Sequence, residues 1–185
     1  MMKKVILASA SPRRKELLSV AGVEFDICIS NADETVPTGT EPAAAVEMIA
    51  SKKACAVAQE HSEAVVIGAD TVVVCCGKIL GKPRDAENAA DMLAMLSGKE
   101  HQVITGVCIV SGESKKVFHK VSTVKFYDLT AEEIRAYVET GEPMDKAGAY
   151  GIQGKGCTLV ERIEGDYFNI VGLPVAAVLR ELKNF

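Results

Sequence analysis

The run Ala64–Cys76, AVVIGADTVVVCC, constrains the fold more than any other segment of this chain. Its β-branched residues fall on both faces, the pattern of a strand covered on both sides. Such a strand lies inside a sheet, with helices packed against it. One acidic residue, Asp70, interrupts the run. A lone carboxylate there is costly to bury without a cation, a metal, or a cleft where its charge is used. The structural alternatives are a buried salt bridge, or a cap over a bulge at Gly68.

The other informative segment is VILASASPRRK at 5–15. An apolar run stops in small hydroxyl residues, a proline follows, and a helical pattern begins. Strand, tight turn and helix start gather oxyanion ligands at one point. These are helix N-terminal amides, the hydroxyls of Ser9 and Ser11, and the guanidinium groups of Arg13 and Arg14. Pro12 suits the first helical turn, where its missing N–H costs nothing. A Ser-Pro helix cap with two solvated arginines accounts for the same residues.

Periodicity and punctuation predict the remaining elements. Strands are expected at 3–9, 24–29, 64–76, near 100–110, near 116–127 and at 158–163. Gly77-Lys78 should turn the central strand into a hairpin with Ile79-Leu80, and Ser111-Gly112 should join the two long strands in an antiparallel hairpin. Helices are expected at 12–21, from a Thr40 cap through about 60, from an Asp85 cap to Ser97-Gly98, at 130–140 and at 172–184. Residues 31–40 read as a polar loop, and 145–156, DKAGAYGIQGKG, are glycine-rich. The pattern is α/β with a mixed sheet in one domain over 1–185.

Composition sets limits on function. Lys+Arg 21 against Asp+Glu 25 gives a formal net charge of −4, which argues against direct nucleic-acid binding. A small anionic ligand remains compatible, because one pocket can be basic in an acidic protein. No run is long enough for a membrane span, and Lys3-Lys4 before VILASA is too short an imitation of a signal peptide. Six cysteines (28, 55, 75, 76, 108, 157) form no CxxC pair. Five of them are expected as small buried hydrophobes in a reduced, cytoplasmic protein. Cys75-Cys76 leave a strained vicinal disulfide, and with it a redox role, open. His61, His101 and His119 share no spacing and are read as surface or core residues rather than ligands.

Other chemistry-bearing residues each have a plain alternative. Glu34 sits beside Asp33 as a solvated acidic pair would. Lys53 follows Lys52 on a helix, as on a solvated face. Lys82, in Leu80-Gly81-Lys82-Pro83, has the position of a turn lysine. Gln153 lies among Gly148, Gly151, Gly154 and Gly156, which permit close approach to a ligand but also simply make loops. The GxxxxGK[ST] phosphate loop, a DxDxT phosphoaspartate motif, a GxSxG elbow and a His-rich zinc motif are missing from the sequence. Acids with Lys, Arg and Gln around glycine turns suit metal-assisted attack of water on a polyphosphate, with no covalent intermediate.

Six blocks now resemble one family in order along almost the whole chain. They are SASPRRKELL at 9–18, GADTVV at 68–73, LGKPRD at 80–85, LSGKEHQVITGV at 96–107, DKAGAYGIQG at 145–154 and NIVGLP at 169–174. Together they are similar to the Maf family of nucleoside triphosphate pyrophosphatases. The resemblance implies a fold like that of inosine triphosphate pyrophosphatases: a long curved mixed sheet flanked by helices, in two lobes with a central cleft. It implies hydrolysis of a nucleoside triphosphate to monophosphate and pyrophosphate with a divalent metal, for which Mg²⁺, Mn²⁺ and Co²⁺ are all compatible.

Residue roles follow from the same resemblance. Asp70 is expected as general base, as metal ligand, or as both, and Glu34 as a metal ligand. Ser9, Arg14, Lys53 and Lys82 are expected to hold the phosphates. Arg13, Thr71 and Gln153 resemble the trio of the branch that acts on dTTP and UTP. The Gln153 amide can donate and accept, matching the O4/N3–H edge of uracil or thymine. Family members are often homodimers, and modified pyrimidine nucleotides are further candidate substrates. The family name also carries an alternative, a septum-formation inhibitor that acts by binding a partner without catalysis.

Overall fold

The computed structural model describes residues 3–185. Its seven-stranded mixed sheet has the order β2-β1-β3-β5-β6-β7, with β4 paired to β3 off this path. These are β1 (Val5–Leu7), β2 (Phe25–Ile27), β3 (Val65–Cys75), β4 (Lys78–Leu80), β5 (Glu100–Ser111), β6 (Ser114–Phe126) and β7 (Val160–Glu164). The chain divides into two compact units. One comprises residues up to Thr71 with Thr105–Lys120 and Gly172–Phe185; the other comprises Val72–Ile104 and Val121–Val171. Among the described residues, no helix is long and apolar enough to cross a membrane.

In the first unit, β1 runs parallel to both β2 and β3, with Val5 opposite Phe25 and Val65. Helix α1 (Pro12–Val20) follows β1; the Arg14 amide donates to the Ser11 hydroxyl at 3.4 Å, and Pro12 occupies the first turn. Helix α2 (Pro42–Glu60) lies directly on the sheet. Two glycines make this approach feasible. A Cβ on Gly68 would stand 2.4 Å from the Ala50 carbonyl oxygen, and one on Gly106 would stand 2.5 Å from the Val46 carbonyl carbon. The helix answers with small residues: Ala50, Ala54 and Val57 pack with Ile6, Ala8, Val66, Cys108 and Val110.

In the second unit, the end of β3 turns through Cys76 and Gly77 (φ 51° and 73°) into antiparallel β4. Positive φ at both turn residues matches the twist of the strands and explains the glycine. Helix α3 (Ala86–Leu96) is capped by Asp85, which accepts from the Asn88 amide at 2.8 Å. Helix α4 (Ala131–Glu139) starts with a reciprocal capping box between Thr130 and Glu133. It packs against α3. Strand β7 pairs antiparallel with β6 and is followed by α5 (Tyr167–Val171).

Several sequence-based expectations need correction. Helix α2 is bounded by Glu41 rather than Thr40, whose hydroxyl donates instead to the Pro37 carbonyl at 2.7 Å. A residue before proline is driven out of the helical region, and Glu41 is extended (φ −57°, ψ 140°). The hairpin turns at Cys76-Gly77 rather than Gly77-Lys78, and only Gly112 and Glu113 join the sheet neighbours β5 and β6. The glycine-rich segment and its flanks wind into 3₁₀ turns at Glu142–Asp145, Ala147–Ala149 and Gly154–Leu159. The closing helix is shorter than 172–184: α6 spans Val175–Leu182, and Gly172 at φ 127° and Pro174 set it apart from the short α5, which lies before the expected range. Of the cysteines, only Cys75 and Cys108 are fully buried, while Cys76 and Cys157 are exposed. Cys76 is outside because it sits on the hairpin turn.

Candidate active site

In the first unit, β3 carries Asp70 just past Val65–Ala69, which are all buried. Helix α2, seated on Gly68, presents Lys53 to it. The ammonium lies 3.0 Å from Asp70 Oδ1 and 3.0 Å from Glu34 Oε2. The side chains of Lys53 and Asp70 are only 12% and 16% exposed. The acidic interruption of the apolar strand therefore has its cation, and Lys53 is not part of a solvated face. Glu34, 56% exposed, brings the polar loop 31–40 into the same cluster.

Two residues that sequence reasoning missed hold that loop. Lys52 donates to the Thr35 carbonyl at 2.7 Å. Asp33 accepts from the Thr35 hydroxyl and amide at 2.5 and 3.0 Å. These bonds hold the Asp33 carboxyl below its ordinary range, with a smaller contribution from Lys52. The signal was local, since an Asp-x-Thr turn is legible at this spacing. The helix lysine that completes it was not.

The strand–helix turn is organised by Arg14, which is buried. Its Nε donates to the Gly172 carbonyl at 2.8 Å, Nη1 to Ser9 Oγ at 3.2 Å, and Nη2 to Thr71 Oγ1 at 3.0 Å. Burial lowers its pKa from the ordinary arginine value, opposed by the charge of Asp70. Thr71 Oγ1 also lies 2.9 Å from Thr105 Oγ1. Ser9 Oγ accepts from the Ser11 amide as well, at 3.2 Å. With both lone pairs of Ser9 engaged, its hydroxyl proton is left to donate, which suits a phosphate oxygen. Arg13, half-buried, precedes Arg14 in the first turn of α1.

The structure thus gathers Ser9, Arg14, Glu34, Lys53, Asp70 and Thr71 by direct contacts in one unit. Lys82 and Gln153 belong to the other. Lys82 is exposed just after β4, beside Gly81, whose carbonyl accepts from the Gly148 amide at 3.0 Å. Gln153 is half-buried and opens the 3₁₀ turn Gly154–Leu159. Its backbone is held on both sides. The Gly151 amide donates to the Tyr137 hydroxyl at 3.2 Å, and the Lys155 amide to both Glu142 oxygens at 3.1 Å. Gly156 is obligatory here, because a Cβ would lie 2.1 Å from the Gly151 carbonyl oxygen.

Sequence reasoning also missed a buried aromatic group in the second unit. His101 Nε2 meets the Tyr150 hydroxyl at 2.8 Å, and both rings stack edge-on with Phe126. Burial pushes His101 down to about 4.

The donor set for a metal can be judged on chemistry. Asp70 and Glu34 are hard oxygen donors that already converge on one cationic centre, the Lys53 ammonium. Glu34 faces solvent, so water can fill further coordination positions. This fits Mg²⁺ or Mn²⁺.

Fold and site together define a mixed α/β protein with an anion-receptive strand–helix turn and a carboxylate–lysine–carboxylate cluster in the same unit. The chain belongs to the Maf-like protein family, whose model matches residues 4–185. It is 53% identical over 184 residues to a dTTP/UTP pyrophosphatase of Bacillus cytotoxicus, covering 100% of this chain and 96% of that protein. It is 55% identical over 182 residues to one of Geobacillus sp., covering 98% of each. Among solved structures, the Ham1 protein of Staphylococcus aureus matches with a TM-score of 0.50 at 17% identity, over 68% of this chain and 73% of that one. That likeness concerns the fold.

Proposed function

We propose that this chain hydrolyses dTTP and UTP to the monophosphate and pyrophosphate. The observation that carries the reading is Asp70, held 3.0 Å from the Lys53 ammonium on a strand with no other charged residue. The full-length similarity to proteins named dTTP/UTP pyrophosphatase supports the substrate class.

In this reading Asp70 takes a proton from the attacking water. Oδ1 is engaged by Lys53, which leaves Oδ2 as the basic atom. The water oxygen bonds to the α-phosphorus, the α–β bridging bond breaks, and its electron pair leaves with pyrophosphate. The Ser9 hydroxyl donates to a phosphate oxygen. Lys53 and Lys82 neutralise charge that grows in the transition state. Arg14 fixes Ser9 and Thr71 with three of its five N–H donors and offers the remaining Nη hydrogens to a phosphate. Arg13, Thr71 and Gln153 are assigned to selectivity, with the Gln153 amide reading the pyrimidine edge. Glu34 and Asp70 would hold the divalent cation. When bound, that ion supplies neutralisation of the polyphosphate.

The test is pyrophosphate release from a panel of nucleoside triphosphates, with and without Mg²⁺ or Mn²⁺. Metal-dependent turnover of dTTP and UTP, reduced about 10²–10⁴-fold in Asp70→Asn, is expected for loss of a general base. A folded wild type that releases pyrophosphate from none of them overturns the reading and moves the weight to a non-catalytic partner-binding protein.

A further inference from the structure

A second group of ligating side chains lies in the first unit, away from the Lys53 end of α2. Cys28 follows the edge strand β2, Glu60 is the last residue of α2, and His61 is its C-cap. A thiol, a carboxylate and an imidazole converge there, with their ligand atoms all within 4.8 Å of one another. Cys28 is half-buried against the apolar core beneath it, whereas Glu60 and His61 face solvent. Among the described residues, no hydrogen bond or ion pair engages any of these three side chains. The Cys28 backbone is fixed by its amide, which donates to the Leu7 carbonyl at 3.2 Å.

From this convergence we propose that Cys28, Glu60 and His61 form a binding site for a borderline-soft divalent cation such as Zn²⁺. Sulfur, nitrogen and oxygen are the donor types of zinc sites, at about 2.0–2.3 Å from the ion. Tetrahedral zinc at those distances sets its ligand atoms about 3.3–3.8 Å apart, so side-chain rotation of about an ångström closes the site. The C-terminal end of the 19-residue helix adds negative potential where the cation would sit. Solvent supplies the fourth ligand. The Cys28 thiol loses its proton to solvent on binding.

This site is chemically distinct from the carboxylates at Lys53. Seven residues of helix separate Lys53 from Glu60, about 10 Å along the axis. Hard oxygen donors favour Mg²⁺ and Mn²⁺, while thiolate and imidazole favour Zn²⁺ and Co²⁺. Occupancy would tie the edge strand β2 to the end of α2, and it would stabilise the folded state by mass action.

The experiment is titration of the reduced full-length protein with Co²⁺, read by near-ultraviolet absorption. One equivalent should produce a thiolate-to-cobalt charge-transfer band that equimolar Zn²⁺ removes and excess Mg²⁺ leaves intact. Cys28→Ser should abolish the band. His61→Ala and Glu60→Gln should each weaken cobalt binding at least tenfold, and Cys55→Ser should leave it unchanged. Either no thiolate band in the wild type, or a band that persists in Cys28→Ser, overturns the proposal. Pyrophosphate release with Mg²⁺ should be unchanged in all three site variants, and its loss would overturn the independence of the two sites. The optical readout stands whether or not the chain hydrolyses dTTP.

Discussion

Lys53 Nζ and Asp70 Oδ1 lie 3.0 Å apart, one on a helix and the other on the strand beneath it, 17 residues later in the chain. The pair forms because Gly68 lets α2 descend onto β3, two residues before the carboxylate. Charge and packing are therefore coupled. The helix must sit low for the lysine to reach, and the lysine must reach for the carboxylate to be tolerated.

Removing the cation alone should expose that coupling. In Lys53→Met, Asp70 stays in a largely buried position without its partner. Breaking a buried pair in this way costs about 3–5 kcal/mol, and the residual exposure of Asp70 lowers the expected loss to about 2 kcal/mol. Lys53→Met/Asp70→Asn should recover much of it. Urea unfolding of the two single variants and the double variant measures the coupling. Strictly additive losses would show that the pair does not stabilise the fold.

Gly68→Ala tests the packing side. The added Cβ would meet the Ala50 carbonyl at 2.4 Å and the Ala54 amide nitrogen at 2.8 Å, both backbone atoms. The helix has to lift. Overpacking of this kind costs about 1–3 kcal/mol, and turnover should fall as Lys53 moves away from Asp70. A variant with wild-type melting temperature and turnover would contradict this account of the seating of α2.

Arg14→Lys should behave as a severe change. One ammonium cannot span the Gly172 carbonyl, Ser9 and Thr71 as the planar guanidinium does. Leaving buried polar partners unsatisfied costs about 1–3 kcal/mol. The KM for substrate should rise as Ser9 loses its anchor. Thermal unfolding and steady-state kinetics on the same preparation check both effects.

His101 makes stability depend on pH in a stated direction. Burial lowers its folded pKa from 6.5 to about 4. Above 6.5 it is neutral whether the chain is folded or unfolded, and its contribution is fully present. Below 6.5 the unfolded chain takes up a proton that the folded chain refuses, so stability is lost as pH falls toward 4. The total is of order 3 kcal/mol by linkage. His101→Gln should flatten the difference in unfolding free energy between pH 7 and pH 4.5 relative to wild type. The comparison isolates His101 from carboxylates that also titrate in acid. Equal slopes in the two proteins would exclude this role.

Much of the fold was legible because its causes are local. The β-branched run at 65–75, the Asp85 cap, the Thr130–Glu133 capping box and the Pro12 helix start all act within about one turn of chain. Asp70 stood out for the same reason: a charge inside an apolar run is visible without any knowledge of what surrounds it. The Asp33–Thr35 turn that shapes the loop carrying Glu34 is local too, though it went unread. Where local signals competed, as with Thr40 beside a Glu-Pro pair, the boundary moved by one residue.

Residue order alone dictates that a buried strand presents a carboxylate, and that a hydroxyl-rich turn precedes a helix bearing two arginines. Tertiary structure alone decided the partners. Lys53 looked like one of two solvated helix lysines until α2 settled on Gly68 and Gly106. Arg14 shows its anion-ligand chemistry in the sequence, but not the Gly172 carbonyl, 158 residues away, that holds its Nε. Cys28, Glu60 and His61 shared no motif until β2 and the end of α2 were brought together. Local propensity depends on neighbours along the chain, whereas the pairing of charges depends on which faces the packing of the core brings into contact.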